Sequence, residues 1–298
     1  CLLVHDIKIS EEKMNIQNQE IDYKPSIVGK VARVIIPVLQ TILPVSTFKI
    51  VYDNLYWLNK RRIWITYSVT TKFYGIFGNK ELKTKQKLTR FLLPYTMGGW
   101  KALENAFEVV QLIEKNKVPG VIIECGVAEG GTAAMMALTS RALGNKTRHF
   151  WFFDSYEGLP EPTAEDYKGT KAGNFVQPLT KGSCLGSIEQ VSELLFGKLD
   201  LPKDKINLVQ GWFQDTIAVN KDKIKTISIL RLDGDWYEST KIPLENFYSH
   251  ISPGGCVIID DYATCFGSRK ATDEFIEQNS INTTLRPDGR GGAWFVKP

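Results

Sequence analysis

The 298-residue chain has only five cysteines, an odd number with no Cys-x-x-Cys spacing, so neither a disulfide framework nor a zinc site is indicated. Three histidines, His5, His149 and His250, are scattered and fit no metal-binding or triad-like pattern. No apolar run approaches the roughly 20 residues of a membrane-spanning helix. The longest, residues 34–45, is broken by Pro37, Gln40, Thr41 and Pro44, and it lacks the small-residue cleavage pattern of a signal peptide. With 43% hydrophobic and 23% charged residues, the composition excludes collagen-like, coiled-coil and wholly disordered chains. It fits a large globular domain with or without an appendage. Cys125 and Cys256 fall in apolar strand-like runs as buried thiols. A reducing cytoplasm, with or without peripheral membrane contact, is the expected location. The first residue is Cys rather than Met, which fits a chain that begins inside a longer product.

Charge is unevenly spread. The formal net charge is +4, yet residues 49–90 contain ten Lys/Arg against Asp53 and Glu81, giving 10 − 2 = +8. The same stretch carries Tyr52, Tyr56, Trp57, Trp64, Tyr67, Phe73 and Tyr74. Residues 1–90 therefore read as a basic, aromatic-rich helical extension. The plain expectation is helices packed on the catalytic domain with solvated lysines outside. The sharper one is an arm lying on an anionic membrane surface or a polyanionic partner.

From residue 91 onward, strand-like and helix-like segments alternate. Apolar periodicity predicts helices over 102–115, 132–143, 187–196, 239–249 and 269–278. Short apolar runs predict strands at 121–125, 149–153, 206–210, 226–232 and 256–259, with a turn at 252–255 and a closing hairpin of 282–286 and 293–296. Residues 155–186 form a long Gly-, Pro- and Thr-rich loop. This alternation specifies a doubly wound α/β sheet, in which ligands bind beyond the carboxyl ends of the strands.

Two strand ends suggest a nucleoside ligand. The first runs into Glu124-Cys125-Gly126-Val127-Ala128-Glu129-Gly130-Gly131-Thr132, a glycine turn that matches neither the dinucleotide fingerprint nor a P-loop. The second ends at Asp154, an acid placed to accept from both hydroxyls of a ribose. Acids at Glu124 and Asp154, with no basic residue in the turn, disfavour a pyrophosphate. They favour a ligand with a ribose and a cationic end, as in S-adenosylmethionine.

Two further strand ends gather acid. Strand four closes with Leu232-Asp233-Gly234-Asp235 and strand five with Ile259-Asp260-Asp261-Tyr262. Neighbouring strands lie about 4.8 Å apart, so these four carboxylates would repel unless a cation or protons neutralised them. Oxygen donors without nearby His or Cys suit Mg²⁺, Ca²⁺ or Mn²⁺ rather than zinc. Asp260 and Asp261 can act together only if the strand breaks there, because adjacent strand residues point to opposite faces.

With these motifs assembled, the sequence resembles the macrocin O-methyltransferase family of metal-dependent enzymes that act on sugar hydroxyls of natural products. The matching stretches are residues 93–97 (LPYTM), 121–132 (VIIECGVAEGGT), 154–160 (DSYEGLP), 211–216 (GWFQDT), 232–240 (LDGDWYEST) and 253–262 (PGGCVIIDDY). The resemblance covers residues 91–298. It implies a Rossmann-like class I methyltransferase sheet of seven strands with an antiparallel last hairpin. It implies S-adenosylmethionine bound by Glu124, Gly126 and Asp154, with Asp154 on the ribose, Tyr95, Thr96 and Met97 closing over it and Ser183 near the adenine. Asp233, Asp260 and Asp261 would hold Mg²⁺ or another hard divalent cation, and Asp235 would be the general base. Gln214 and Asp215 would help shape the pocket. The acceptor would be a hydroxyl of a small molecule or glycan, and a homo-oligomer is expected.

Two alternatives stay open. A catechol-type methyltransferase uses the same metal logic on vicinal phenols, and Trp212 and Trp236 suit either ring. A non-catalytic nucleoside-binding or membrane-associated module would keep the fold without the chemistry. A nucleic-acid methyltransferase is disfavoured, because no Asn/Asp-Pro-Pro-Tyr motif occurs and the carboxylates would repel phosphates.

Overall fold

Runs of Ile, Val, Leu and Phe form the strands, since branched and aromatic side chains suit a pleated surface. The structure is a computed structural model that describes residue 21 and residues 27–144, 147–167, 175 and 178–298. Cys1, His5 and part of the loop 155–186 lie outside the described residues. The elements run α1 (Ile27–Ile42), α2 (Val45–Phe77), α3 (Lys80–Leu92), α4 (Gly99–Lys115), β1 (Val121–Cys125), α5 (Gly131–Leu143), β2 (Phe150–Asp154) and α6 (Ile188–Ser192). After these come β3 (Ile206–Gln210), α7 (Phe213–Asn220), β4 (Ile227–Leu232), α8 (Tyr237–Phe247), β5 (Ile251–Ile259), α9 (Phe266–Gln278), β6 (Arg286–Pro287) and β7 (Ala293–Val296).

The strands form one seven-stranded sheet in the order β3-β2-β1-β4-β5-β7-β6, with β7 antiparallel to β5 and to β6. It is the doubly wound α/β sheet that the alternation specified. Alternate side chains of each strand feed two cores. Ile122, Phe152 and Ile258 pack with Leu103, Phe107 and Met135 of α4 and α5. Ile123, Phe153, Leu230 and Val257 pack with Leu244, Phe247 and Phe275 of α8 and α9. The chain leaves β1 toward β2 on one side and β4 on the other, so the topological switch lies between β1 and β4.

Four differences from the expected elements have local causes. Asp154 is the last residue of β2 rather than the residue after it. Residues 252–255 are a bulge within β5, not a turn ahead of it: Ile227 pairs with Ile251 but Ile229 with Cys256, and Gly254 takes φ +78°. The last hairpin pairs only Arg286–Pro287 with Trp294 and Ala293, in place of the strand expected over 282–286. The helix expected over 187–196 gives way after Ser192 to a wider π-type turn over Glu193–Lys198, which contains Gly197.

Helix α2 packs on α3, on α4 and on the segment between them. On α2 the Tyr67 hydroxyl donates to Glu104 Oε1 at 2.8 Å, Trp64 Nε1 donates to the Arg90 carbonyl at 3.2 Å, and Lys60 Nζ donates to the Pro94 carbonyl at 3.0 Å. Among the described residues, no helix is long and apolar enough to cross a membrane.

Candidate active site

The carboxyl ends of five strands, β1 to β5, are tied by backbone hydrogen bonds running beyond the sheet. Gly211 N donates to Asp154 O, Gly126 N to Phe153 O, Asp233 N to Cys125 O and Asp260 N to Leu232 O, all at 2.8–2.9 Å. The first residues past β1, β4 and β5 are thus held in register. Gly126 makes this possible, because at φ +93° a β-carbon would lie 1.8 Å from the Asp233 carbonyl oxygen. A β-carbon on Gly131 would lie 2.4 Å from the Tyr95 carbonyl, so the segment before α4 rests directly on the glycine turn.

Above this edge opens a cavity of about 700 Å³, within the usual range for a small-molecule site. Tyr95, Thr96, Met97, Gly126, Asp154, Asp233, Asp235, Asp260 and Asp261 all line it, and so do Trp212, Gln214 and Trp236. Asp215 does not. Two of the residues expected on the cofactor lie off the cavity. Glu124 is wholly buried beneath it, where Oε1 accepts from Thr132 Oγ1 at 2.5 Å and from Arg231 Nη1 at 2.7 Å. Its other oxygen, Oε2, is buried with no hydrogen-bond partner. The Ser183 hydroxyl turns toward Thr180 Oγ1, 3.5 Å away, while its neighbours Lys181 and Cys184 reach the cavity.

Asp154 is tied down on both oxygens. Oδ2 accepts the amides of Val127 at 2.6 Å and Ala128 at 2.9 Å, and Oδ1 accepts the amide of Tyr156 at 2.7 Å. A carboxylate offers about four acceptor positions, so one remains, on Oδ1. That position is open to a ribose hydroxyl.

Beyond Ile259 the chain leaves β5 in a turn that starts at Asp260, the break that adjacent acids required. Carboxylate oxygens of Asp233, Asp260 and Asp261 lie within 4.8 Å of one another, and Asp261 Oδ2 is buried with no hydrogen-bond partner. An all-oxygen set with a vacant buried acceptor fits a hard divalent cation. Asp235 stands beside them at φ +60°, with the Cys265 thiol donating to Oδ1 at 3.5 Å. Burial, reinforced by the charge of Asp233, lifts its pKa to about 6. Burial also pushes Asp261 well above the usual carboxylate range, with the charges of Asp235 and Asp233 adding to it.

Sequence reading missed two arginines. Arg231 is 1% exposed and donates through Nη1 to Glu124 and to Asp233 Oδ2 at 2.8 Å, and through Nη2 to Asp260 Oδ1 at 2.6 Å. A lone cation in the apolar strand ISILRL was its available signal. Arg290, from the loop before β7, pairs with Asp260 Oδ2. Nothing in its glycine-rich surroundings marked it. Lys60 of α2 likewise reaches in, pairing with Glu129 of the glycine turn.

A doubly wound sheet with this strand order, a glycine turn after β1 and an acid closing β2 defines the class I methyltransferases. The macrocin-O-methyltransferase (TylF) profile matches residues 59–297, from within α2 to the penultimate residue. Demethyldecarbamoylnovobiocin O-methyltransferase of Streptomyces niveus is 34% identical over 203 residues, 68% of this chain and 76% of that one. A tetracenomycin-C rhamnosyl 4'-O-methyltransferase of Streptomyces olivaceus is 35% identical over 201 residues, 67% of this chain and 75% of its own. Among solved structures, the O-methyltransferase NovP aligns with TM-score 0.60 at 33% identity, covering 68% of this chain and 82% of its own. A calicheamicin methyltransferase covers 94% and 97% at 19% identity and TM-score 0.52, a likeness of fold alone. The chain belongs to the macrocin-O-methyltransferase family and is an S-adenosylmethionine-dependent O-methyltransferase. The reading as a non-catalytic module is thereby set aside.

Proposed function

We propose that the protein methylates a sugar hydroxyl of a glycosylated natural product or glycan, with Asp233, Asp260 and Asp261 holding a hard divalent cation and Asp235 as general base. Curated relatives are named for methyl transfer to a rhamnosyl 4' position, to a mycinamicin 3'' position and to a novobiocin precursor. The observation that carries the metal reading is the convergence of three aspartate oxygens beside the vacant Asp261 Oδ2, in one cavity with Asp235. Formal charge agrees. Five acids (Glu124, Asp233, Asp235, Asp260, Asp261) against two arginines leave 5 − 2 = 3 negative charges, room for a dication and one proton.

An alcohol is too weak an acid to ionise at neutral pH, and a dication held by the three aspartates would make the acceptor hydroxyl more acidic. Asp235 takes the hydroxyl proton as the acceptor oxygen bonds to the donor methyl carbon and the carbon–sulfur bond breaks, releasing S-adenosylhomocysteine. Arg231 and Arg290 hold Asp260 from both oxygens and fix the acids before the reactants arrive. Asp154 and the glycine turn orient the nucleoside end of the donor, with one acceptor position of Asp154 on its ribose. Tyr95, Thr96 and Met97 cover that end. Asp166 stiffens the loop above, accepting the Thr163 and Tyr237 amides at 2.7 Å, which helps exclude water.

The reading is tested by supplying isotopically labelled methyl donor with a panel of deoxysugar glycosides and catechols. Label on a glycoside oxygen is expected. Label on catechols alone would move the assignment to the phenolic class.

A further inference from the structure

The helix that rests on the active site turns a second face outward. Tyr52, Tyr56, Lys60, Ile63 and Tyr67 recur at helical spacing along α2 and face the domain. On its opposite side Ile50, Trp57, Leu58, Ile65 and Val69 are about half or more exposed. The preceding helix α1 also exposes Val31, Val34, Ile35, Val38 and Ile42, which are 45–69% exposed. A folded monomer rarely leaves so long an apolar stripe open without a partner.

Charge selects the partner. Residues 49–90 carry a net +8, and Arg61 and Arg62 are exposed among the apolar residues. The Arg61 guanidinium lies 5.3 Å from the Trp57 ring. A tryptophan flanked by arginines suits the headgroup layer, with its ring at the acyl boundary and the guanidinium groups on lipid phosphates. A two-fold pairing of this face with itself would gather the Arg61 and Arg62 of both copies, all of one charge, into one interface, so self-association is the poorer match. No described helix is long and apolar enough to span a bilayer, so the helices would lie along the surface.

We propose that the outward face of α1 and α2 docks the enzyme on an anionic lipid bilayer. This goes beyond the catalytic assignment. Because the other face of α2 rests on the glycine turn, docking sets the cavity about one helix diameter, ~10 Å, from the headgroups.

The test is co-sedimentation of the full chain with phosphatidylcholine vesicles, with and without about 30% phosphatidylserine. Partition onto the anionic vesicles is expected to be at least ~10-fold stronger and to weaken as salt shortens the screening length. The double variants Trp57→Glu/Leu58→Glu and Arg61→Glu/Arg62→Glu should each lose ~10-fold of that partition. Both should keep the wild-type circular dichroism and turnover of a water-soluble glycoside, since these side chains are exposed and away from the cavity. Failure of the wild-type chain to bind vesicles, or equal binding to neutral and anionic ones, would overturn the proposal. So would a wild-type dimer in sedimentation velocity that the two variants dissolve, which would assign the face to a second copy of the chain.

Discussion

Arg231, 1% exposed on β4, donates to Asp260 at 2.6 Å, tying the acid that follows β5 to the strand that pairs with β1, which bears Glu124. The same guanidinium reaches Glu124 and Asp233, so one side chain links the support of the glycine turn to the acids of the acceptor site. A buried arginine with three carboxylate partners holds them by being there, whatever its net contribution to stability. Replacing Arg231 with Met leaves Glu124 and Asp260 buried without it. The expected cost is about 3–5 kcal/mol of folding stability, read from urea unfolding. The partly exposed pair Arg269–Asp273 is the control, where Arg269→Met should cost about 1 kcal/mol or less.

Gly126→Ala tests the close approach of β1 to β4. A methyl group there would have to share space with the Asp233 carbonyl, at a backbone angle that L-residues avoid. Donor affinity by calorimetry should fall at least ~10-fold, through displacement of the turn and of Asp233 together. Retained affinity would show that the turn can move away without cost.

Asp235→Asn removes the base while keeping its size. The rate constant should fall by about 10²–10⁴, with donor affinity changed less than about twofold, because Asp235 is placed on the acceptor. The pH profile gives a second reading. The carboxylate must be deprotonated to accept, and its folded pKa is raised to about 6, so kcat/KM should climb as pH rises through that value and level off above it. A bound dication favours the ionised form and moves the inflection downward, so the midpoint is expected at about 6 or below. The Asn variant should lack this limb.

Much of this arrangement was legible in the sequence because it is set by local pattern. Apolar runs ending in Cys125-Gly126, Asp154, Asp233-Gly234-Asp235 and Asp260-Asp261 identify both the strands and their functional ends, and a doubly wound sheet brings such ends together. The bulge at 252–255 was not legible, since Ser-Pro-Gly-Gly reads equally as a turn until β4 supplies the pairing. The burial of Glu124 was not legible, because it depends on Thr132 and on Arg231 of the neighbouring strand, which together satisfy one oxygen of its carboxylate. Arg290 and Lys60 come from distant segments, and only the tertiary fold brings them to the acids.

The central claim is that Asp233, Asp260 and Asp261 hold a hard dication without which the acceptor hydroxyl is not activated. The most direct test is methyl transfer by enzyme stripped with EDTA and shown metal-free by elemental analysis, before and after adding Mg²⁺, beside Asp261→Asn. The account predicts a rate at least ~100-fold lower without metal, restored by Mg²⁺ in the wild type and not in the variant. Full activity in the metal-free protein would contradict it, and would leave the carboxylates balanced by Arg231, Arg290 and protons alone.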